Sequence, residues 1–388
     1  GAFDDLAAQF DPSSTKRKGD QFEAVCKWFL ENDPTYQPLL RAVWLWDDWP
    51  GRKGGDAGID LVAEDSGGKL WAIQAKAYDP AYSISKRDID KFIAESSRKE
   101  FTHRLLIGTT DKRHHIATRL MDDLGIPFVG LTRLRKADDY LDWPASPDAL
   151  RPATPLDPKE PWDYRQTAIN DVVKGFETSD RGQLIMACGT GKTLTAWFIT
   201  EKLAARRTLV LVPSLSLLKQ TMTEWRLANP KTPFEAMTVC SDESVGSLGE
   251  DAAVSHTSDL GVPVTTDPGT IATFLRHRTG PARVIFATYQ SSPRVAKAFC
   301  PPVDMTSSQT PGFDLVIADE AHRVAGPVSS DFAIVLDPKA IPAKRKLFMT
   351  ATPRYFTGRV LREGKEADYE VASMDDHTKF GEVFHRLT

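Results

Sequence analysis

Two groups of residues have the types and spacing to do chemistry on phosphates. The first lies in "GIDLVAEDSGGKLWAIQAK", residues 58–76. A strand beginning near Asp60 and a second carrying Gln74 and Lys76 would form a hairpin. Side chains alternate along a strand, so Gln74 and Lys76 share a face, while Ala75 points the other way and can offer its backbone carbonyl. A Mg²⁺-dependent phosphodiesterase needs oxygen ligands that hold the metal and activate water. It also needs a cation to steady the extra negative charge on the scissile phosphate. Asp60, Gln74 and the Ala75 carbonyl are the candidate metal ligands, and Lys76 is the cation. The competing reading is a hairpin with a solvated Asp, Gln and Lys. Gln74 sharpens that choice, because a neutral amide is a poorer Mg²⁺ ligand than a carboxylate.

The second group is "MACGTGKT", residues 186–193, with "DLVIADEAH", residues 314–322. The glycine loop follows an apolar strand and opens a helix. Backbone N–H groups of Gly189, Thr190 and Gly191 can wrap anionic phosphates at the helix N-terminus. Lys192 can reach the terminal phosphates, and the Thr193 hydroxyl can coordinate Mg²⁺. Asp319 and Glu320 end another apolar strand. Asp319 can hold Mg²⁺, and Glu320 can orient and deprotonate the attacking water. These residues describe ATP hydrolysis. Gln166, in "YRQ" just ahead of the loop strand, could hydrogen-bond an adenine edge. "VPSLSLLKQ" (212–220) and "ATYQSS" (287–292) place small hydroxyl residues after strands. That suits a nucleic-acid backbone, although such residues also serve simply as helix caps.

The elements that must position these groups are legible. Before residue 142, helical spacing in "GDQFEAVCKWFLEN" and in the segments at 86–97 and 114–125 alternates with strand-like runs at 58–64, 70–78, 104–110 and 126–131. This predicts a small α/β domain. The stretch 142–160 is rich in Pro, Ala and Asp and reads as a linker. After it, short apolar runs recur between helical segments, at 182–187, 207–213, 235–240, 282–288, 314–319 and 346–352. They predict a parallel sheet covered on both faces. Residues 241–280 are rich in Ser, Thr, Asp and Gly and read as an exposed excursion with one short strand near 262–266. His114 and His115 read as a helix surface, Asp56 as a turn residue, and Trp44, Trp46 and Trp49 as packing residues.

Composition sets limits. The 388 residues carry a formal charge of −4, so a nucleic-acid partner would have to be met by local basic surfaces. The four cysteines are far apart and form no CxxC pair, which argues against a disulfide framework or zinc site and fits a reducing cytosol. No apolar run reaches membrane-spanning length.

The motifs of residues 160–355, with "TATPR" at 350–354, resemble the first RecA-like domain of a superfamily 2 helicase or translocase. Met186 departs from the usual opening glycine of the loop. The resemblance implies ATP-dependent movement along nucleic acid, with Thr350 and Thr352 coupling the ATP site to the track. Residues 15–135 resemble a PD-(D/E)xK nuclease of the Mrr-like branch, through the turn at Gly55, Asp56, Ala57, Gly58, Ile59 and Asp60, the Gln-x-Lys of Gln74 and Lys76, and the Phe22-Glu23 pair on an early helix. That resemblance implies that Glu23 completes the acidic set.

The pairing resembles the N-terminal part of a Type ISP restriction-modification enzyme. The resemblance implies an Mrr-like nuclease domain at 1–141, a linker at 142–160, a first RecA-like domain at 161–372, and the start of a connection to a second RecA-like domain at 373–388. It also implies ATP and Mg²⁺ as cofactors, double-stranded DNA as partner and a bacterial cytoplasmic setting. The second RecA-like, methyltransferase and target-recognition regions would lie beyond this sequence. ATPase activity without the second domain's arginine finger is expected to be weak. Two alternatives stay open: a Type I- or Type III-like restriction motor subunit, and a DNA-binding, non-cutting arm on a remodelling helicase.

Overall fold

A mixed five-stranded sheet and a parallel eight-stranded sheet organise the chain. The computed structural model describes residues 1–52, 54, 58–241, 256–277, 279–300, 309–327, 331–356 and 371–387. Asp56, expected in a turn, lies outside the described residues with Gly55 and Ala57. Two compact units emerge: Gly1–Asp157 with Val254–Pro263, and Pro158–Ala253 with Val264–Thr388.

In the first unit, helices α1 (Ala2–Ala7) and α2 (Thr15–Asn32) precede strands β1 (Leu40–Leu45), β2 (Leu61–Asp65) and β3 (Leu70–Lys76). These three strands pair antiparallel in sequence order. β4 (Phe101–Gly108) and β5 (Phe128–Val129) then add in parallel. Parallel neighbours need a crossover, and α3 (Lys86–Ser96) and α4 (His115–Asp123) supply it, with α5 (Leu131–Lys136) following β5. Ser85 and Asp88 form a reciprocal capping box that starts α3. Ile89 and Phe92 of α3 and Ala117 and Met121 of α4 pack with Val62, Ala72 and Leu106 of the sheet. β1 was not legible as a strand, because a register shift between Leu40 and Ala42 breaks its alternation. Trp46 and Trp49 are buried with tilted rings 5.6 Å apart, and Trp49 meets Phe101 at 5.7 Å, as packing residues do.

Proline richness did not mean looseness. Within the stretch expected as a linker, Trp143 is buried against Phe3, Trp28 and Phe29 of the first unit, lying nearly parallel to Phe29 at 5.8 Å. The excursion at 241–280 also differs from expectation. Thr257, Ser258, Leu260 and Val262 are buried, and Val254–Pro263 groups with the first unit. Tyr36 donates its hydroxyl to the Gly261 carbonyl at 2.5 Å, and Arg113 binds Ser258 at 3.0 Å and pairs with Asp259. Polar composition hid this burial because the polar groups are satisfied inside the protein.

The second unit's sheet has the order β15-β6-β13-β11-β7-β10-β8-β9. Its members are β6 (Arg181–Met186), β7 (Arg207–Val212), β8 (Phe234–Val239), β9 (Val264–Thr265), β10 (Ala282–Thr288), β11 (Leu315–Ala318), β13 (Lys346–Thr350) and β15 (Glu382–Leu387). Every pair in it is parallel. β12 (Gly326–Pro327) and β14 (Val371–Ala372) form a separate two-stranded ladder. The neighbours β6, β13 and β11 carry the glycine loop, "TAT" and "DEAH" at their carboxyl ends, so topology alone gathers three motifs at one edge. Within 373–388, expected to begin a connection, a helical turn at His377–Phe380 precedes β15. β15 lies beside β6, and Phe384 packs over Gly175 and Gly182, where a Cβ would come within 2.3 and 2.1 Å of its ring. Half its residues are polar, so no apolar run announced this edge strand.

Candidate active sites

In the first unit, Asp60 immediately precedes β2 and continues its ladder, its N–H donating to the Ile73 carbonyl at 3.0 Å. The register pairs Leu61 with Ile73, which sets Asp60 opposite Gln74. The Asp60 carboxylate accepts the Ala75 N–H at 2.8 Å. Gln74 is buried, and its Nε2 donates to the Gly58 carbonyl at 3.2 Å. Among the described residues its Oε1 is buried without a hydrogen-bond partner. A buried acceptor lacking a donor is costly, and an oxygen-seeking cation would satisfy it, so this residue fits a metal. Two strand positions on, Lys76 shares the Gln74 face and is partly exposed.

Glu23 lies on α2. Burial pushes the Cys26 thiol well up, and the Asp60 and Glu23 carboxylates add to that rise, so both lie within electrostatic reach of one buried sulfur. Among the described residues no group of three or more His, Cys, Asp or Glu could hold a metal. A metal here would depend on an amide and backbone oxygen beside the acids. His114 and His115 are exposed at the start of α4.

In the second unit, β6 runs into the glycine loop and α7 (Lys192–Lys202). Gly189 and Gly191 have φ of +78° and +83°, a region that side chains disfavour. A Cβ on Gly191 would also sit 2.4 Å from the Arg165 guanidinium. Lys192 Nζ donates to the Met186 carbonyl at 3.3 Å and lies 3.8 Å from Glu320 Oε1. The Thr193 carbonyl accepts the Trp225 indole N–H at 2.9 Å. Thr350 is buried, and its hydroxyl meets His322 Nδ1 at 3.0 Å; His322 in turn is 3.4 Å from Glu320. Thr352 is exposed, with its N–H on the Thr350 hydroxyl at 3.1 Å. The fold thus brings Lys192, Asp319, Glu320, His322 and Thr350 to one edge.

Asp319 is buried, and burial first, then the Glu320 carboxylate, pushes its pKa up to about 6. An acid raised in the folded state contributes stability at low pH and loses it as pH rises through the folded value. Asp319→Asn is therefore expected to stabilise the nucleotide-free protein at pH 8 by up to about 3 kcal/mol. The gain should vanish below about pH 4, where both states carry the proton. Melting temperatures at the two pH values check this. A variant no more stable than its parent at pH 8 contradicts it.

Sequence reasoning singled out Gln166, whose amide binds Asn170 at 3.0 Å along α6 (Asp163–Gly175). Its neighbours reach the loop instead. The Tyr164 hydroxyl and Arg165 Nε both donate to the Thr190 carbonyl, at 3.0 and 3.1 Å. Arg165 also stacks over the exposed Trp162 at 4.7 Å. The "YRQ" stretch thus carries two contacts to the loop beside Gln166. The hydroxyls of "ATYQSS" do not face outward as a nucleic-acid contact requires. Thr288, Ser291 and Ser292 are buried and bond among themselves and to the Tyr289 carbonyl. Ser214 caps α8 (Leu215–Ala228) by accepting the Leu217 N–H.

Residues 31–149 match the family described as a restriction endonuclease, and residues 158–355 match the family described as Type III restriction enzyme, res subunit. The chain is 34% identical over 222 residues to a "Probable helicase A859L" of African swine fever virus, covering 53% of this chain and 23% of the viral protein. Its structure is similar to that of the ATP-dependent Type ISP restriction-modification enzyme LlaBIII bound to DNA, with a TM-score of 0.78 and 32% identity over 100% of this chain and 25% of that one. A nuclease-deletion mutant of the Type ISP enzyme LlaGI, in complex with a DNA substrate mimic, matches at 33% identity over 59% of this chain and 20% of that one, with a TM-score of 0.44. The chain spans about a quarter of the length of these relatives. No helix of the described residues is long and apolar enough to cross a membrane.

Proposed function

The chain belongs to the family of the Type III restriction enzyme res subunit, with a restriction endonuclease domain ahead of its helicase-type ATPase domain, and on that premise we propose that it cuts DNA with Mg²⁺ and couples cutting to ATP-driven movement on double-stranded DNA. The observation that carries the cutting half is the buried Gln74 Oε1, without a partner among the described residues, on the strand face shared with Lys76 and opposite Asp60. Asp60, Gln74 and the Ala75 carbonyl hold the metal, with Glu23 completing the acidic set. A bound Mg²⁺ supplies a more acidic water and neutralises charge on the phosphate. Lys76 places its ammonium at the scissile phosphate. One such site cuts one strand, so a double-strand break needs two sites or two nicks.

In the motor, Gly189, Thr190 and Gly191 cradle the phosphates of ATP and Lys192 reaches the terminal ones. Thr193 and Asp319 hold the accompanying Mg²⁺, and Glu320 takes the proton of the attacking water. Gln166 reads the adenine edge, and Thr350 and Thr352 link the site to the track. We assign 1–141 to the nuclease, 142–160 to the connection and 161–372 to the motor, with the second RecA-like, methyltransferase and target-recognition regions on a longer polypeptide. A bacterial cytoplasmic setting follows from that restriction role.

A second reading is a DNA-binding, non-cutting arm, favoured by the lack of a three-residue acidic cluster among the described residues. The discriminating experiment is nicking of supercoiled plasmid in Mg²⁺ without ATP. Lys76→Ala is expected to lower the nicking rate about 100-fold, as loss of one transition-state cation does. A parent that never nicks in Mg²⁺ or Mn²⁺ leaves the arm as the better description.

A further inference from the structure

The peptide between Asp319 and Glu320 is gripped at both ends. Its N–H, on Glu320, donates to the Asp319 carboxylate at 2.9 Å. Its carbonyl, on Asp319, accepts the Tyr289 hydroxyl at 2.6 Å. Glu320 needs that grip. Its φ is +48°, a left-handed conformation that costs a residue with a side chain on the order of 1–2 kcal/mol. The φ torsion turns about the bond from the gripped peptide to the Glu320 Cα. The plane of that peptide therefore sets where the Glu320 carboxylate points relative to Lys192 and His322, at 3.8 and 3.4 Å.

Tyr289 is built to hold this plane. It is fully buried, and its ring stacks on Phe332 at 5.4 Å with planes 23° apart. Burial and the two neighbouring carboxylates push its pKa well up, so the phenol stays a hydrogen-bond donor. The residue follows β10 directly, and the next turn is locked by Thr288 to Ser291 at 3.1 Å and by Ser292 to the Tyr289 carbonyl at 2.7 Å. A buried, stacked phenol on a hydrogen-bonded turn gives the strained peptide a fixed reference.

We infer that Tyr289 is a positioning residue for ATP hydrolysis: its hydroxyl holds the Asp319–Glu320 peptide so that Glu320 stays aimed at the attacking water. The inference rests on the assignment of Glu320 as the hydrolytic base. Tyr289→Phe removes the hydroxyl and keeps the ring on Phe332. In the intact protein, kcat for ATP hydrolysis is expected to fall about tenfold, while the KM for ATP and the stoichiometry of a bound fluorescent ATP analogue stay within twofold of the parent. A purely structural role would instead lower the fraction of protein that binds nucleotide and leave kcat per binding site unchanged. That second pattern, or a raised KM with unchanged kcat, overturns the inference. Glu320→Gln, assayed beside it, keeps the two readings apart. If it hydrolyses ATP like the parent, the base assignment itself falls and the inference falls with it.

Discussion

Glu320→Gln is expected to reduce ATP turnover by about 1000-fold, the scale of a lost general base, while nucleotide still binds. The substitution is nearly isosteric, so the left-handed backbone at residue 320 and the Tyr289 grip on the preceding carbonyl survive it. What disappears is the capacity to accept a proton. The charge on Glu320 also does two other things that an amide cannot. It pairs with Lys192 at 3.8 Å and helps push the Asp319 pKa up to about 6. Removing it frees Lys192 for phosphate and makes Asp319 easier to ionise for Mg²⁺. Nucleotide affinity in Mg²⁺ should therefore hold or rise. Phosphate release under saturating ATP and titration with a non-hydrolysable analogue measure the two halves separately. Turnover within tenfold of the parent would mean that another group removes the proton.

The ease of reading differed between the two halves for a physical reason. In the motor, phosphate chemistry demands a contiguous loop, so Gly189 to Thr193 and Asp319 to Glu320 are each written in a few adjacent letters. The sheet then places β13 between β6 and β11. The nuclease site is assembled across a hairpin, and only the register of Leu61 with Ile73 sets Asp60 against Gln74. Alternation along a strand predicts that Gln74 and Lys76 share a face, whereas the pairing with Asp60 is set by the ladder itself. Contacts made at long sequence separation were harder. Nothing local tells that Tyr36 waits for Gly261, that Phe384 returns to Gly182, or that Arg165 rather than Gln166 touches the loop. Polar segments misled most, because hydroxyls such as Ser258 and Ser292 can be buried once each has a partner.

Gln74 separates a metal site from a decorated hairpin through two substitutions with opposite signatures. Gln74→Leu keeps the side chain's bulk and removes the unpartnered acceptor. It costs the Gly58 carbonyl one donor at 3.2 Å, a loss of about 1 kcal/mol that removal of the orphan oxygen partly offsets. The metal-free protein should stay folded, yet nicking should fall by more than about 100-fold, since even residues behind the ligands of metal sites cost up to that much. Gln74→Glu behaves differently. Its carboxylate faces the Gly58 carbonyl in place of a donor and sits buried opposite Asp60. Without metal the fold should lose roughly 1–3 kcal/mol, and the loss should grow as pH rises above the ordinary glutamate range, because only the ionised form repels Asp60. With Mg²⁺ the extra charge becomes an advantage, so the melting temperature should climb with metal concentration more steeply than in the parent. Thermal melts across a Mg²⁺ titration, read beside plasmid nicking, distinguish the cases. If the Leu variant nicks as well as the parent and the Glu variant gains nothing from Mg²⁺, residue 74 is packing, and the metal must be held by Asp60 and Glu23 or not at all.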